Sequence, residues 1–226
     1  MRPAPEYGEA FERLRAGAGE AWGAYADHAF VRGLGDGTLP RAAFLHYLAQ
    51  DYVFLIHFSR AWGLAAAKAG TLEEMKHCAA TLDALVNHEM ALHIETCAAA
   101  GISAAALEAT AERPENLAYT RYVLEAGYSG DFLDLLCALA PCVLGYGEIG
   151  ARLSATKTSD AYAGWIDVYG GEEYQQVCRD MGALLDGALA RRLGEWEASP
   201  RAAQLQARFD MATKLEAAFW DMGLQP

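Results

Sequence analysis

Basic residues are scarce in this chain. Lys and Arg number 18 against 30 Asp and Glu, which gives a formal net charge of −12, and no basic run is longer than Arg191-Arg192. Proteins that bind nucleic acids need basic patches that displace counterions from phosphates. The composition therefore argues against nucleic acids and anionic membranes as partners, and it suits a neutral or cationic small molecule.

Long apolar runs and paired cysteines are also absent. No stretch reaches the roughly 18 uninterrupted apolar residues that a membrane span requires, and the opening MRPAPEYGEAFERLRAG has no apolar core of signal-peptide length. The five cysteines are odd in number and form no CxxC pair, which disfavours a zinc knuckle or thioredoxin motif. We expect a cytoplasmic protein with reduced thiols.

Histidine is absent from the second half of the chain, since all six histidines lie at or before position 93. Di-iron sites in helical bundles need Glu and Glu-x-x-His elements from several helices. Here Glu89 and His93 are spaced i,i+4, and no second such element follows. We therefore expect no metal and no organic cofactor, and we interpret His88 and His93 as structural, buried or at a subunit contact.

Apolar residues recur with a helical period almost throughout, and strand-type alternation, repeats and low-complexity linkers are missing. The sequence predicts an all-α, single-domain bundle of seven to nine helices over residues 1–226. The predicted segments are an apolar stripe from Tyr7 to Tyr25, a turn at 33–40, and helices from about 40 to 69, 71 to 100, 103 to 111, 115 to 126, 131 to 153, 159 to 169, 172 to 193 and 200 to 222.

Helical phase places a few reactive residues on apolar faces. Asp51 lies on the stripe of Tyr47 and Leu55, Glu216 lies between Phe209 and Phe219 on another stripe, and Cys142 and Tyr146 are an i,i+4 pair. Buried carboxylates are costly unless paired, so these positions are compatible with a polar pocket suited to acid–base chemistry. They are equally compatible with hydrogen-bonded core acids, an inert buried thiol and core tyrosines.

Pro141 stands in mid-helix, immediately before Cys142. A proline there removes one backbone hydrogen bond and kinks the helix. Such a kink either aims Cys142 into a cavity or only accommodates curvature around the core, and the sequence leaves both interpretations open.

Six segments, in order, resemble the TenA/thiaminase II family, whose fold is a heme-oxygenase-like helical bundle. They are HAFVRGLGDGTLP (28–40, preceded by Trp22), FLHYLAQDYVFL (44–55), HEMALH (88–93), APCVLGYGE (140–148), WIDVYGGEEY (165–174) and LEAAFW (215–220). Together they cover roughly residues 20–222. The resemblance implies a homotetrameric enzyme that needs no cofactor and acts on a small pyrimidine substrate.

The resemblance implies a role for each matching residue. Cys142 matches the nucleophile, Glu216 the proton donor, and Asp51 the carboxylate that binds the aminopyrimidine edge. Tyr146 and Tyr169 match two substrate-binding hydroxyls. Tyr119 and Phe219 match two residues that line the ring pocket. Cys142 places the chain with the cysteine-containing branch of the family.

The sequence departs from the family pattern at one position. Relatives often carry a tyrosine three residues after the aspartate, with a hydroxyl thought to help activate the cysteine, but this chain has Phe54. Tyr52 is near in sequence yet lies on a different helical face. We expect Phe54 to line the substrate pocket without supplying that hydroxyl.

The implied reaction is hydrolysis of 4-amino-5-aminomethyl-2-methylpyrimidine, and of thiamine, to 4-amino-5-hydroxymethyl-2-methylpyrimidine in thiamine salvage. The alternatives are a TenA-like hydrolase of a related substrate, a di-iron or heme oxidase on the same fold, and a non-enzymatic regulator. The histidine distribution disfavours the oxidase, and the absence of a basic patch disfavours the regulator.

Overall fold

A computed structural model describes residues 5–226, with the backbone alone at Leu92. All regular elements in this range are helices, which confirms the all-α fold class. Twelve α-helices are present in the described range, more than the seven to nine expected. The excess arises because long predicted segments are interrupted, for example at Gly19 within the first apolar stripe.

The chain forms two compact units, Met1–Leu39 with Leu136–Trp220, and Pro40–Leu135 with Asp221–Pro226. We call them unit 1 and unit 2. That the whole chain is a single domain stays a prediction.

Unit 1 carries the N-terminal helices and most of the C-terminal half. Its helices are α1 (Glu9–Ala18), α2 (Glu20–Ala26), α3 (Ala29–Asp36), most of α9 (Phe132–Thr156), α10 (Ala163–Gly170), α11 (Glu172–Leu193) and most of α12 (Ala202–Gly223), with a 3₁₀ turn at Trp196–Ala198. The predicted turn at 33–40 is wrong in its first half, because α3 continues to Asp36 before Gly37 ends it in the left-handed conformation.

Aromatic packing forms much of the core of unit 1. The Trp22 ring stacks on Phe209 with centroids 5.5 Å apart and meets Phe11 edge-on at 5.4 Å. Arg15 and Glu148 form a buried two-pronged ion pair, with both N–O distances 2.7 Å, and the Trp22 indole donates to the same carboxylate at 3.1 Å. This pair joins α1 to α9, and its hydrogen bonds offset the cost of burying both charges.

Unit 2 is built around the long helix α4 (Arg41–Lys68). The other helices of this unit are α5 (Leu72–Ala84), α6 (Met90–Ala99), α7 (Ala104–Glu108) and α8 (Pro114–Ser129), with a π-helical turn at Leu85–Glu89 between α5 and α6. All four pack against α4. The spacing Thr71-x-x-Glu74 predicts a capping box at the start of α5. The structure confirms it, since Thr71 and Glu74 each accept the other's backbone N–H at 3.2 Å.

The outward face of α5 corrects the predicted apolar stripe. The helical spacing of Leu72, Met75 and Val86 predicts one inward apolar face in this segment, but their side chains are 65%, 44% and 50% exposed. The buried face instead carries Glu74 and Cys78. Leu72 and Met75 of α5 and Val86 of the π-helical turn therefore form a surface stripe.

Helix α9 is the one helix in residues 5–226 that is long and apolar enough to cross a membrane by length and composition. Of its most apolar window, 89% is buried inside the protein, as expected for a core helix. Asp131 caps its start by accepting the N–H groups of Leu133 and Asp134 at 2.9 and 3.2 Å. Pro141 lies inside the helix, and its carbonyl accepts a hydrogen bond from the Tyr25 hydroxyl at 3.2 Å.

Candidate active site

An aromatic group in unit 1 contains two of the predicted site residues. The Tyr146 ring of α9 lies 5.0 Å from Tyr169 of α10 in an edge-to-face arrangement, and 5.3 Å from Trp220 of α12. Trp165 completes the group at 4.6 Å from Tyr169 and 5.8 Å from Tyr146. Such contacts fix ring positions more firmly than burial alone. Three helices therefore converge on a rigid aromatic surface.

Cys142 lies one helical turn before Tyr146 on α9. All five cysteines are free, and Cys142 is the one that is only partly buried. Burial raises the pKa of Cys78 and Cys97 to about 11 and that of Cys178 to about 12, so these thiols stay protonated near neutral pH. Of the five, Cys142 is therefore the thiol most open to reaction.

Glu216 and Phe219 occupy consecutive turns of α12 and are both buried. Trp220, which contacts Tyr146, lies one turn after Glu216 on the same helix. Helical phase therefore predicted the burial of Glu216 correctly. The structure brings the helices that carry Cys142, Tyr146, Tyr169, Glu216 and Phe219 together within unit 1.

Asp51 is the centre of a second group, in unit 2. Its side chain is buried on α4, and its Oδ2 lies 3.5 Å from the Tyr47 hydroxyl and 3.7 Å from His93 Nδ1. Burial raises the pKa of Asp51 from its ordinary value of 3.8 to about 7, and the Tyr47 hydroxyl only partly offsets this. Both polar contacts are too long to stabilise the anion strongly.

His93 was expected to be structural, and in the structure its side chain lies beside Asp51. Its Nε2 lies 2.6 Å from the carbonyl oxygen of Leu48. Because a carbonyl can only accept, Nε2 carries the proton in the neutral ring. Burial lowers the pKa of His93, so its unprotonated Nδ1 faces Asp51. The side chain of His88, the other histidine in this segment, is exposed.

The π-helical turn explains how His93 reaches this position. In an α-helix each residue advances by about 100°, so eight steps from Leu85 would turn His93 roughly 80° off the inner face. A π-turn accommodates one extra residue, which leaves about seven effective steps and a deviation of only about 20°. His93 and Cys97 are accordingly buried on the same face as Cys78 and Leu85. A purely α-helical reading of the sequence could not reveal this register.

Phe54 and Tyr119 also meet within unit 2. Their ring centroids are 5.1 Å apart, and Phe54 stacks on Phe58 at 5.2 Å. Gln50 joins the two helices concerned, because its amide donates to the carbonyl of Ala111 at 2.9 Å and accepts from Asn116 Nδ2 at 3.2 Å. Tyr52 is half-buried and lies on another face of α4, as the helical phase predicts.

Comparison with known proteins identifies the family. The model of the TENA/THI-4/PQQC family matches residues 16–226. An aminopyrimidine aminohydrolase of Halalkalibacterium halodurans is 36% identical over 204 residues, 89% of each chain. The aminopyrimidine aminohydrolase of Bacillus subtilis is 32% identical over 212 residues, 93% of this chain and 88% of the relative.

A solved structure shares both the sequence and the fold. The crystal structure of a protein named a TenA family transcription regulator, from Silicibacter sp. TM1040, is 63% identical, covers 97% of this chain and 98% of its own, and superimposes with a TM-score of 0.97. With the family model matching nearly the full length, this chain belongs to the TENA/THI-4/PQQC family.

Proposed function

We propose that this protein hydrolyses 4-amino-5-aminomethyl-2-methylpyrimidine, and also thiamine, to 4-amino-5-hydroxymethyl-2-methylpyrimidine, and that Cys142 is the nucleophile. The observation that carries the proposal is the placement of the one partly exposed cysteine a helical turn before Tyr146, whose ring contacts Tyr169. Two relatives with 36% and 32% identity are named aminopyrimidine aminohydrolases.

In the proposed reaction, the Cys142 thiolate adds to the electron-poor pyrimidine ring. Electron density moves towards the exocyclic methylene, and the bond from that carbon to the amine breaks while Glu216 protonates the departing nitrogen. Water then adds to the methylene carbon, its proton passes to the Glu216 carboxylate, and the thiolate leaves. The net change consumes one water and releases ammonia, or the thiazole when thiamine is the substrate.

The buried position of Glu216 supports its role as proton donor, because a site that excludes water lets the acid deliver its proton to the leaving nitrogen without loss to solvent. Asp51 binds the aminopyrimidine edge by accepting from the 4-amino group and pairing with a protonated ring nitrogen. Its pKa of about 7 means that it can ionise when such a positive partner arrives.

The remaining predicted residues bind the substrate. The Tyr146 and Tyr169 hydroxyls hydrogen-bond to the pyrimidine, and the rings of Tyr119, Phe54 and Phe219 line its pocket. This chemistry uses no metal and no organic cofactor, so dialysis against a chelator is expected to leave the activity unchanged.

The 63% identical structure is named a transcription regulator, which makes transcription regulation the second candidate. The net charge of −12 and the lack of a basic run disfavour a protein that contacts DNA directly. Hydrolysis of a related substrate is a stronger alternative than transcription regulation, because the residues at the rim of a pocket decide which of several similar pyrimidines is bound.

Incubation of the purified protein with the aminomethylpyrimidine and, separately, with thiamine tests the proposal. Chromatography is expected to detect the hydroxymethylpyrimidine in both reactions. Its absence from both, with folded protein, would reject the proposed activity. Formation from one substrate alone would identify the preferred leaving group.

We also propose a homotetramer that acts in the cytoplasm. The exposed stripe of Leu72, Met75 and Val86 on unit 2 offers an apolar surface of the kind that subunit contacts cover. Light scattering at micromolar concentration is expected to give four times the chain mass, and a monomeric mass would contradict the proposal.

A further inference from the structure

The segment before α1 contacts the candidate site of unit 1, although it lies outside the range that the family model matches, residues 16–226. Its Tyr7 side chain is only 3% exposed. The Tyr7 hydroxyl donates a hydrogen bond of 2.5 Å to Oε1 of Gln175 on α11. This contact joins residues that are 168 positions apart in the sequence.

Gln175 also binds the backbone beside the two candidate tyrosines, Tyr146 and Tyr169. Its Nε2 donates to the carbonyl oxygen of Gly147 at 3.0 Å and to that of Tyr169 at 2.9 Å. Both amide protons and the amide oxygen are therefore engaged, and a flipped amide would set its oxygen against two carbonyls. Gly147 directly follows Tyr146, so one side chain ties α9 to the C-terminal end of α10 at the tyrosine pair.

Two glycines make room for Tyr7. A Cβ added to Gly147 would lie 3.0 Å from the Tyr7 hydroxyl oxygen and 2.3 Å from the Cys178 sulfur. A Cβ added to Gly182 of α11 would lie 1.3 Å from the Tyr7 carbonyl oxygen. A side chain at Gly182 would therefore require a backbone shift, and one at Gly147 would require Cys178 to move.

Asp186 fixes the same segment from the other side. Its carboxylate accepts the first N–H groups of α1, from Glu9 at 3.1 Å and from Ala10 at 2.8 Å. An acid at a helix N-terminus is favoured by the exposed amide groups and by the helix dipole. Residues 7–10 are therefore anchored on α11 at two points, and this anchoring sets the position of the Tyr7 hydroxyl.

We propose that Tyr7 and Gln175 are positioning residues that hold Tyr146 and Tyr169 in the geometry in which they bind the substrate. The inference rests on the proposed function, in which both tyrosines bind the pyrimidine. A displacement of about 1 Å in a binding group can reduce the rate about a hundredfold. A clamp on the backbone at both tyrosines limits such displacement, so its loss should weaken binding of the pyrimidine ring.

Tyr7→Phe and Gln175→Ala test this role, with Gln176→Ala as the matched control. Gln176 is an exposed neighbour that bonds only to Asp180 and Arg179 on the surface of α11. One net hydrogen bond corresponds to about a fivefold change in an equilibrium. We expect Kd for the hydroxymethylpyrimidine product, and KM for the aminomethylpyrimidine, to rise about fivefold in Tyr7→Phe and more in Gln175→Ala.

The expected pattern is higher KM and Kd with kcat at saturation changed less than about twofold, because the nucleophile and acid are untouched. A clamp that only stabilises the fold would lower Tm and leave KM and Kd unchanged, and that result would overturn the proposal. If Gln175→Ala fails to fold, Tyr7→Phe decides, because it removes one oxygen and keeps the ring that packs on Phe11.

Hydrogen exchange separates this inference from the proposed function. Amides of a peptide covering residues 163–175 are expected to exchange faster in Tyr7→Phe and Gln175→Ala than in the wild type or in Gln176→Ala. This measurement needs no substrate, so inactivity of the wild type would reject the proposed function and leave the clamp testable. Unchanged exchange in both variants would overturn the clamp itself.

Discussion

The candidate residues of the two units are held in different ways. In unit 1, rings lie 4.6 to 5.8 Å apart and one amide binds two carbonyls at 3.0 and 2.9 Å, so positions are fixed by close contacts. In unit 2, Asp51 has polar neighbours at 3.5 and 3.7 Å and a pKa of about 7, so its charge is weakly fixed. In the proposed function, unit 1 therefore supplies rings in fixed positions, and unit 2 supplies a carboxyl group that ionises when the substrate binds.

The two units nevertheless share one device. Gln50 in unit 2 and Gln175 in unit 1 each use a single amide to join neighbouring segments through hydrogen bonds to backbone groups. Gln50 directly precedes Asp51, and Gln175 binds the carbonyl of Tyr169. Buried amides with all groups satisfied fix relative positions without adding charge.

Removal of the nucleophile is expected to give the largest effect and tests whether unit 1 carries the chemistry. Cys142→Ser should lower kcat roughly a thousandfold or more, because an alkoxide is much harder to form than a thiolate. Binding of the hydroxymethylpyrimidine should persist. Cys137→Ala, on another face of α9, is the control and should retain activity.

Alkylation gives a second measure of the same prediction. Inactivation should proceed in step with modification of Cys142, and bound hydroxymethylpyrimidine should protect it. A serine variant that keeps substantial activity would reject covalent catalysis and would leave Glu216 to activate water directly.

Asp51→Asn is expected to have the next largest effect and tests whether the charge of unit 2 takes part in the reaction. Loss of the carboxylate that faces a protonated ring should cost about 2–4 kcal/mol in the transition state, as for breaking a buried charge pair, or about 30- to 1000-fold in kcat/KM. Steady-state kinetics measure this change. An unchanged kcat/KM would show that Asp51 is only structural.

The same variant should also differ from the wild type in how its free energy of unfolding depends on pH. The unfolded chain ionises Asp51 near its ordinary pKa of 3.8, whereas the folded protein keeps the proton up to about pH 7. Because the folded state binds more protons in this window, the free energy of unfolding of the wild type should fall relative to Asp51→Asn as pH rises through it. The fall is at most about 1.4 kcal/mol per pH unit.

Urea unfolding of both proteins at pH 4, 5, 6, 7 and 8 measures this difference. The free energy of unfolding of Asp51→Asn minus that of the wild type should grow up to about pH 7 and then level off. A difference independent of pH would mean that Asp51 ionises at its ordinary pKa in the folded protein.

Phe54→Tyr is expected to have the smallest effect and tests whether a hydroxyl at this position of unit 2 assists the reaction. One hydrogen bond to a charged group contributes about 1.5 kcal/mol at the lower end of its range, so kcat should rise about tenfold. Phe54 is packed against Phe58 and Tyr119, so thermal unfolding must first show that the variant folds normally. An equal or lower kcat in a folded variant would reject this role.

Helical phase predicted the features that depend on one helix alone, namely which residues share its apolar face. It placed Asp51 and Glu216 on inner faces, and both are buried. It failed on α5, where the apolar stripe of Leu72 and Met75 faces outward, because phase identifies an apolar face and does not say what covers it. The roles of the site residues stay predictions.

Contacts between distant segments lay beyond what a sequence pattern could give. Gln175 acts through two backbone carbonyls, and its partner Tyr7 is 168 positions away. Any residue can supply a carbonyl, so no residue type marks such a contact. His93 was correctly expected to be buried, but its contact with Asp51 was not foreseen, because a change from α- to π-helical hydrogen bonding requires no diagnostic residue.

The π-helical turn at Leu85–Glu89 bears on how relatives should be aligned. Three of its side chains, Val86, Asn87 and His88, are exposed, so their identities can change freely. Their number can also fall by one, because deleting one residue would return the turn to α-helical hydrogen bonding and leave seven steps from Leu85 to the histidine, which keeps it on the inner face. We expect relatives that keep this histidine to align here either without a gap or with a gap of one residue, so that the facing of α6 is conserved although chain length and side-chain identity vary.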